Sequence, residues 1–111
     1  MLREGQGILG RITFADGVFP EYDRTYLVAS VSDEIVGVLN VSSVKDKSAS
    51  LLLPTNRYIN NQYPPFLKKS FVKLDSYVEI TVNEALSLRV LANGETLDAK
   101  ELHAIKKVII Y

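Results

Sequence analysis

Arg24 and Ser42 are the residues whose types and spacing carry the most chemistry in this chain. They stand near the open ends of two alternating runs within Asp23 to Ser43, folded back at the polar turn Ser32-Asp33-Glu34. With the turn centred on Asp33, Thr25 faces Val41, Leu27 faces Leu39, Ala29 faces Gly37 and Val31 faces Ile35, an almost wholly apolar set. The opposite face pairs Arg24 with Ser42, Tyr26 with Asn40, Val28 with Val38 and Ser30 with Val36. Shifting the centre by half a residue sets Asn40 against Leu27, and the register that keeps one face dry is favoured. Directly opposed side chains have Cβ atoms roughly 4.5 to 5.5 Å apart. A guanidinium beside a hydroxyl at that range offers the donors that a phosphate needs.

Other polar and aromatic residues compete for a role. Phe19 and Tyr22, just before the hairpin, either cap one end of a barrel or stack on a base. The stretch Thr55 to Lys69 interleaves Arg57, Lys68 and Lys69 with Tyr58, Tyr63 and Phe66, and holds Pro64-Pro65. Bases stack on rings while Lys and Arg meet phosphates; loops of this make-up also serve as oligomer contacts, and the sequence leaves both readings open. Asp75 reads as a solvated acid, or else accepts a hydrogen bond from a substrate or orients Arg24. His103, the only histidine, lies in a terminal helix beside an apolar stripe, so it reads as a surface or packing residue rather than a general base, and a lone histidine excludes a His-based metal site within one chain. No Walker loop, GxGxxG or GxSxG elbow is present.

Composition narrows the setting. The chain of 111 residues contains no cysteine, which excludes disulfides and thiolate metal sites and fits a reducing compartment. Thirteen basic and thirteen acidic residues cancel, so any contact with nucleic acid must use a local patch. The N-terminal residues include Arg3 and Glu4 and form no signal-peptide core, and no segment approaches the roughly 20 apolar residues of a membrane span. A soluble cytoplasmic domain spanning residues 1–111 is expected.

The elements around the hairpin follow from periodicity. Gly10 to Gly17 reads as a first strand closed by Asp16-Gly17, preceded by a partly ordered lead-in. Val44 to Lys47 reads as a charged turn and Ser50 to Leu53 as a brief strand stopped by Pro54. Thr55 to Lys69 reads as a long loop. Ser70 to Ile80 alternates as one half-buried strand, with Val72, Leu74, Ser76, Val78 and Ile80 on one face. Asn83 is placed to cap a helical turn, Leu88 to Leu91 to form a last strand, and Asn93-Gly94 to turn out of it. Asp98 and Glu101 form a capping box, with Leu97 and Leu102 as its staple, for a helix from about Ala99 to Ile110. The fold class is mainly β with α: a small SH3-like antiparallel β-barrel with a C-terminal helix.

Taken in order, these segments resemble the PemK/MazF-type toxins of bacterial type II toxin-antitoxin systems. Gly10 to Asp16, GRITFAD, is similar to the family's opening strand. Arg24 followed by Tyr26-Leu27-Val28 resembles the strand that carries its essential arginine. Asn40-Val41-Ser42-Ser43 falls where the family has a strand ending in a catalytic Thr or Ser. Ser70 to Ile80 and the closing helix resemble the family's later elements. Thr25 stands where proline is usual, the loop before Arg24 is shorter, and Ser76 and Val78 replace a common glutamine and arginine.

The resemblance implies the toxin component of such a system, a metal-independent, sequence-specific endoribonuclease of single-stranded RNA that needs no cofactor. It implies Arg24 and Ser42 as catalytic residues, with Tyr26, Asn40, Ser43, Lys45, Arg57 and Asp75 around the RNA. It further implies a homodimer with a cognate antitoxin protein and no membrane partner. The departures at Thr25, Ser76 and Val78 support an alternative on the same barrel: a non-catalytic interaction domain, or a toxin relative that binds a protein target such as gyrase.

Overall fold

The structure, a computed structural model, describes residues 1–14, 16–44, 53–59, 64–66 and 68–111. The central pair of strands is β2 (Arg24–Val31) and β3 (Ile35–Ser43). Their turn is closed by Ser32, whose Oγ accepts from the Ile35 N–H at 3.1 Å. From the open end the expected register holds: Thr25 opposes Val41, Tyr26 opposes Asn40, Leu27 opposes Leu39 and Val28 opposes Val38. Then it slips. Ser30 opposes Gly37 and Val31 opposes Val36, so Ala29 is the extra residue of a β-bulge and loses its expected partner, while those of Ser30 and Val31 are displaced by one.

The slip is explained by crowding at Gly37. A Cβ there would lie 2.2 Å from the Tyr77 Oη and 2.4 Å from the Ser30 Oγ. Ser30 and Tyr77 share a hydrogen bond of 3.1 Å, and Tyr77 donates to Glu79 at 3.0 Å. The bulge thus turns a polar residue toward the phenol, over the one position with no side chain.

Around the hairpin the described strands form a seven-stranded antiparallel sheet. One side of β2 carries β1 (Gly7–Gly10), which pairs in turn with the short edge strand β7 (Arg89–Val90). The first strand therefore lies earlier than the sequence suggests. Residues 11–14 have no strand pairing, while the supposed lead-in at Gln6 and Gly7 is buried and bonded through the Gln6 carbonyl to the Val28 N–H. Small residues at Gly7 and Gly10 hid the strand from a pattern search: Phe66 lies 3.0 Å from where a Gly7 Cβ would be, and Leu88 2.3 Å from that of Gly10.

On its other side β3 pairs with two strands. Val41, Ser42 and Ser43 meet β5 (Ser70–Lys73), while Ile35 to Val38 meet β6 (Val78–Thr81). The expected continuous strand Ser70 to Ile80 is thus broken at Leu74–Tyr77. Ser76 fills the gap. Its Oγ accepts from the Asn40 N–H at 2.8 Å and donates to the Lys73 carbonyl at 2.6 Å, replacing the ladder bond that the break removes. Within Thr55 to Lys69, expected as loop, Asn56–Ile59 forms β4 and pairs with β5. The charged turn after Val44, the strand over Ser50 to Leu52, and Asn60 to Tyr63 lie outside the described residues.

The described residues also form two short α-helices. α1 (Val82–Ala85) is capped by Thr81 and Glu84 in a reciprocal box, two residues earlier than the Asn83 cap expected. α2 (Ala99–Lys106) begins at Asp98, whose carboxylate accepts from the Lys100 and Glu101 N–H groups. It ends a turn sooner than the periodicity predicts, and Val108 and Ile110 are exposed. Asn93 adopts φ 54° in the turn before it, as its left-handed tolerance allows.

Apolar clusters lie on both faces of the hairpin. Leu27, Ala29, Leu39 and Val41 pack with Leu97 and Ile105 beneath α2. Tyr26, Val28, Val36 and Val38 pack with Ile8, Ile80 and Ala85 beneath α1. The second face, expected to turn polar, is therefore core as far as Tyr26 and Asn40, which are 2% and 4% exposed. No helix among the described residues is long and apolar enough to cross a membrane.

Candidate functional site

Strand register assembles one row across the sheet at the open end of the hairpin. Gly10 opposes Arg24, Ser42 opposes Phe71, and Phe71 opposes Tyr58. The β2–β3 pairing runs to Thr25 and Val41, and its next step sets Arg24 across from Ser42. Alternation puts this row on the Tyr26 side of the sheet. Arg24 and Ser42 are half-buried, Phe71 is buried, and Tyr58 is exposed.

Arg24 is held by rings. Its guanidinium carbon lies 4.1 Å from the centroid of the Tyr22 ring and 5.7 Å from that of Phe14, within range of cation–π attraction. Its Nε is buried and has no hydrogen-bond partner. Among the described residues no carboxylate forms an ion pair with it; the neighbouring Asp23 is 3.7 Å from Arg11 instead. The positive charge of Arg24 therefore has no counter-ion among the described residues.

Beneath it, Tyr26 and Asn40 form the adjacent cross-strand pair. The Tyr26 hydroxyl lies 3.3 Å from the Ile12 N–H, which donates to it, and 3.4 Å from the Ile12 carbonyl. Burial pushes the phenol above its ordinary value, opposed by the bond to Ile12 and by the charge of Arg24. Tyr26 is thus neutral near pH 7. The Asn40 amide donates to the Thr25 carbonyl at 3.4 Å. Both side chains brace the strand end from below, and neither reaches the surface.

Compared with protein families, with curated proteins and with solved structures, the chain returns no match. Its chemistry must be read from the geometry.

Of the residues singled out by sequence, Arg24, Ser42, Tyr26 and Asn40 are gathered by the hairpin, and Ser43 follows at the end of β3 opposite Ser70. Arg57 is engaged elsewhere: its Nε donates to Glu101 at 3.2 Å, tying β4 to α2. Glu101 was expected to complete the helix cap and holds this arginine instead. Asp75 is exposed in the turn between β5 and β6, and Lys45 lies outside the described residues. His103 is on the exposed side of α2. Among the described residues no group of three or more His, Cys, Asp or Glu could hold a metal ion.

Sequence reasoning missed the stack on Arg24. Phe14 was placed in a strand, and Tyr22 was weighed as a barrel cap or a base platform. The available signal was the aromatic two residues before a lone arginine, in a loop with no apolar partner in the strand pattern. Tyr22 and Phe19 are each 57% exposed, which rules out a capped, buried position for either.

Proposed function

We propose that this protein is the toxin component of a type II toxin-antitoxin system, a PemK/MazF-type endoribonuclease that cuts single-stranded RNA at a short sequence without a metal. The observation that carries the reading is Arg24: a guanidinium at a strand end whose Nε has no partner, in register with Ser42 and stacked on the exposed ring of Tyr22. The reading includes an SH3-like barrel as the fold and a cytoplasmic homodimer with an antitoxin protein as the assembly.

The chemistry needs little from the protein beyond placement and charge. The RNA 2′-oxygen forms a bond to the adjacent phosphorus as the bond from phosphorus to the 5′-oxygen breaks. The products are a 2′,3′-cyclic phosphate and a 5′-hydroxyl, and the proton lost by the 2′-oxygen equals the one gained by the 5′-oxygen. Negative charge grows on the phosphorane oxygens, where a fixed cation stabilises the transition state more than the ground state. Arg24 supplies that charge. Ser42 holds a phosphate oxygen or orients the 2′-hydroxyl. Tyr58, exposed at the far end of the same row, offers a ring face to a base.

A second reading, a non-catalytic interaction domain that binds a protein target such as gyrase, is favoured by the scarcity of free polar groups. Tyr26 and Asn40 are buried and Arg57 is paired with Glu101, so few side chains remain to move protons. Growth under tight induction separates the two. The proposal expects arrest with the native chain and normal growth with Arg24→Ala; a partner-binding domain that uses another surface arrests growth with both.

A further inference from the structure

Among the described residues the Arg24 Nε is the buried side-chain donor left without a partner. An unmet donor on a charged group is costlier than one on a neutral group, and an oxyanion is the group that best satisfies it. Solvent cannot reach the Nε, so something must move before an anion can. The group stacked on the guanidinium at 4.1 Å is the Tyr22 ring.

We infer that Tyr22 is a displaceable cover over an oxyanion seat: when its ring swings aside, a phosphate oxygen takes the Arg24 Nε–H. The inference rests on Arg24 as the phosphate-binding group of the proposed function, but not on RNA being cut. Tyr22 is suited to this. It is 57% exposed, so its ring has no core to leave. It lies in the segment between β1 and β2, where the residues at 18–23 have no strand or helix. The ion pair that tethers the adjacent Asp23 to Arg11 spans 3.7 Å between side chains 62% and 47% exposed, a contact of the weak surface kind. Phe14, at 5.7 Å, stays behind and keeps the guanidinium in place.

The cover and the anion compete for one cation. An exposed cation–π contact is worth less than a charge-assisted hydrogen bond to a phosphate, so the exchange runs toward the ligand. Removing the ring then tightens phosphate binding, whereas a ring that merely positioned the arginine would weaken it on removal. This opposite sign is what the test reads.

The probe is the Nε–Hε resonance of Arg24 in the nitrogen-15 spectrum, assigned by its loss in Arg24→Lys. Inorganic phosphate is titrated first, then a short single-stranded oligonucleotide built of 2′-deoxyribose, which cannot be cleaved by 2′-hydroxyl attack. Tyr22→Leu should bind tighter than the native protein, on the order of two- to thirty-fold, and Tyr22→Phe should match the native protein. Response to the oligonucleotide alone identifies an internucleotide phosphate as the ligand; response to both identifies any phosphate oxyanion. Equal or weaker binding by Tyr22→Leu, an Nε signal that neither ligand moves, or a Tyr22→Leu chain that does not fold overturns the cover. Tighter binding by Tyr22→Leu in a protein that leaves RNA intact keeps the cover and removes the nuclease.

Discussion

Arg24 shows how much a single side chain depends on what lies under it. Its strand end is floored by Tyr26, whose hydroxyl is bonded to both backbone groups of Ile12. Replacing Tyr26 with Phe leaves that buried N–H and carbonyl without their partner. The expected loss is about 1–3 kcal/mol near neutral pH, read as a lower midpoint in chemical denaturation. The titration has a definite sign. Burial raises the Tyr26 pKa above its model-compound value of 10.0, so the folded state holds this proton more tightly than the unfolded chain. The stability it confers is complete below pH 10 and is lost as the pH climbs through the raised folded value. Native protein should therefore lose stability above pH 10 more steeply than Tyr26→Phe; parallel profiles for the two proteins would refute a buried, neutral phenol. Tyr22 and Arg24 belong to the same scale: the ring shields the cation, and its removal is expected to raise affinity for phosphate.

Ser76 is the hinge on which the elements turn. The alternation through Ser70 to Ile80 was legible, yet a period-two pattern is blind to a strand that breaks and resumes with its faces exchanged. Val72 packs with Leu39 and Val41 in the cluster beneath α2, whereas Ile80 packs with Val36 and Val38 in the cluster beneath α1, so two residues expected to share a face lie on opposite faces of the hairpin. What reveals the break is a hydroxyl where an apolar residue is due. Ser76→Ala is expected to cost about 1–3 kcal/mol by leaving the buried Asn40 N–H unsatisfied, and Ser76→Thr less. Equal stability of Ser76→Ala and the native chain would mean that the break is bridged by some other group. The N-terminal strand was missed for a related reason. Gly7 and Gly10 pack by having no side chain, and a search for alternating apolar residues cannot see them. By contrast the hairpin's open half and the Asp98 cap were legible because each rests on local rules, dry-face register and N-cap acceptance.

Across the whole molecule, the hairpin is the part enclosed on both faces. Amide exchange should therefore be slowest at Tyr26 to Ala29 and Val36 to Val41, and fastest between β1 and β2. Protection highest in α2 would contradict an architecture centred on β2 and β3. The candidate site lies where this rigid pair meets the irregular segment that carries Phe14 and Tyr22, a firm floor beneath a movable cover. Sequence located the floor through Arg24 and Ser42, but the two rings over Arg24 depend on how an irregular segment folds back, and no periodicity encodes that. With no net charge at neutral pH, the molecule has no general attraction for nucleic acid, and binding must come from this patch. Purified protein incubated with mixed single-stranded RNA tests that claim most directly. The account predicts fragments ending in a 2′,3′-cyclic phosphate and a 5′-hydroxyl, absent when Arg24→Ala replaces the native protein at matched folding. Intact RNA with the native protein, or the same fragments from both proteins, would contradict it.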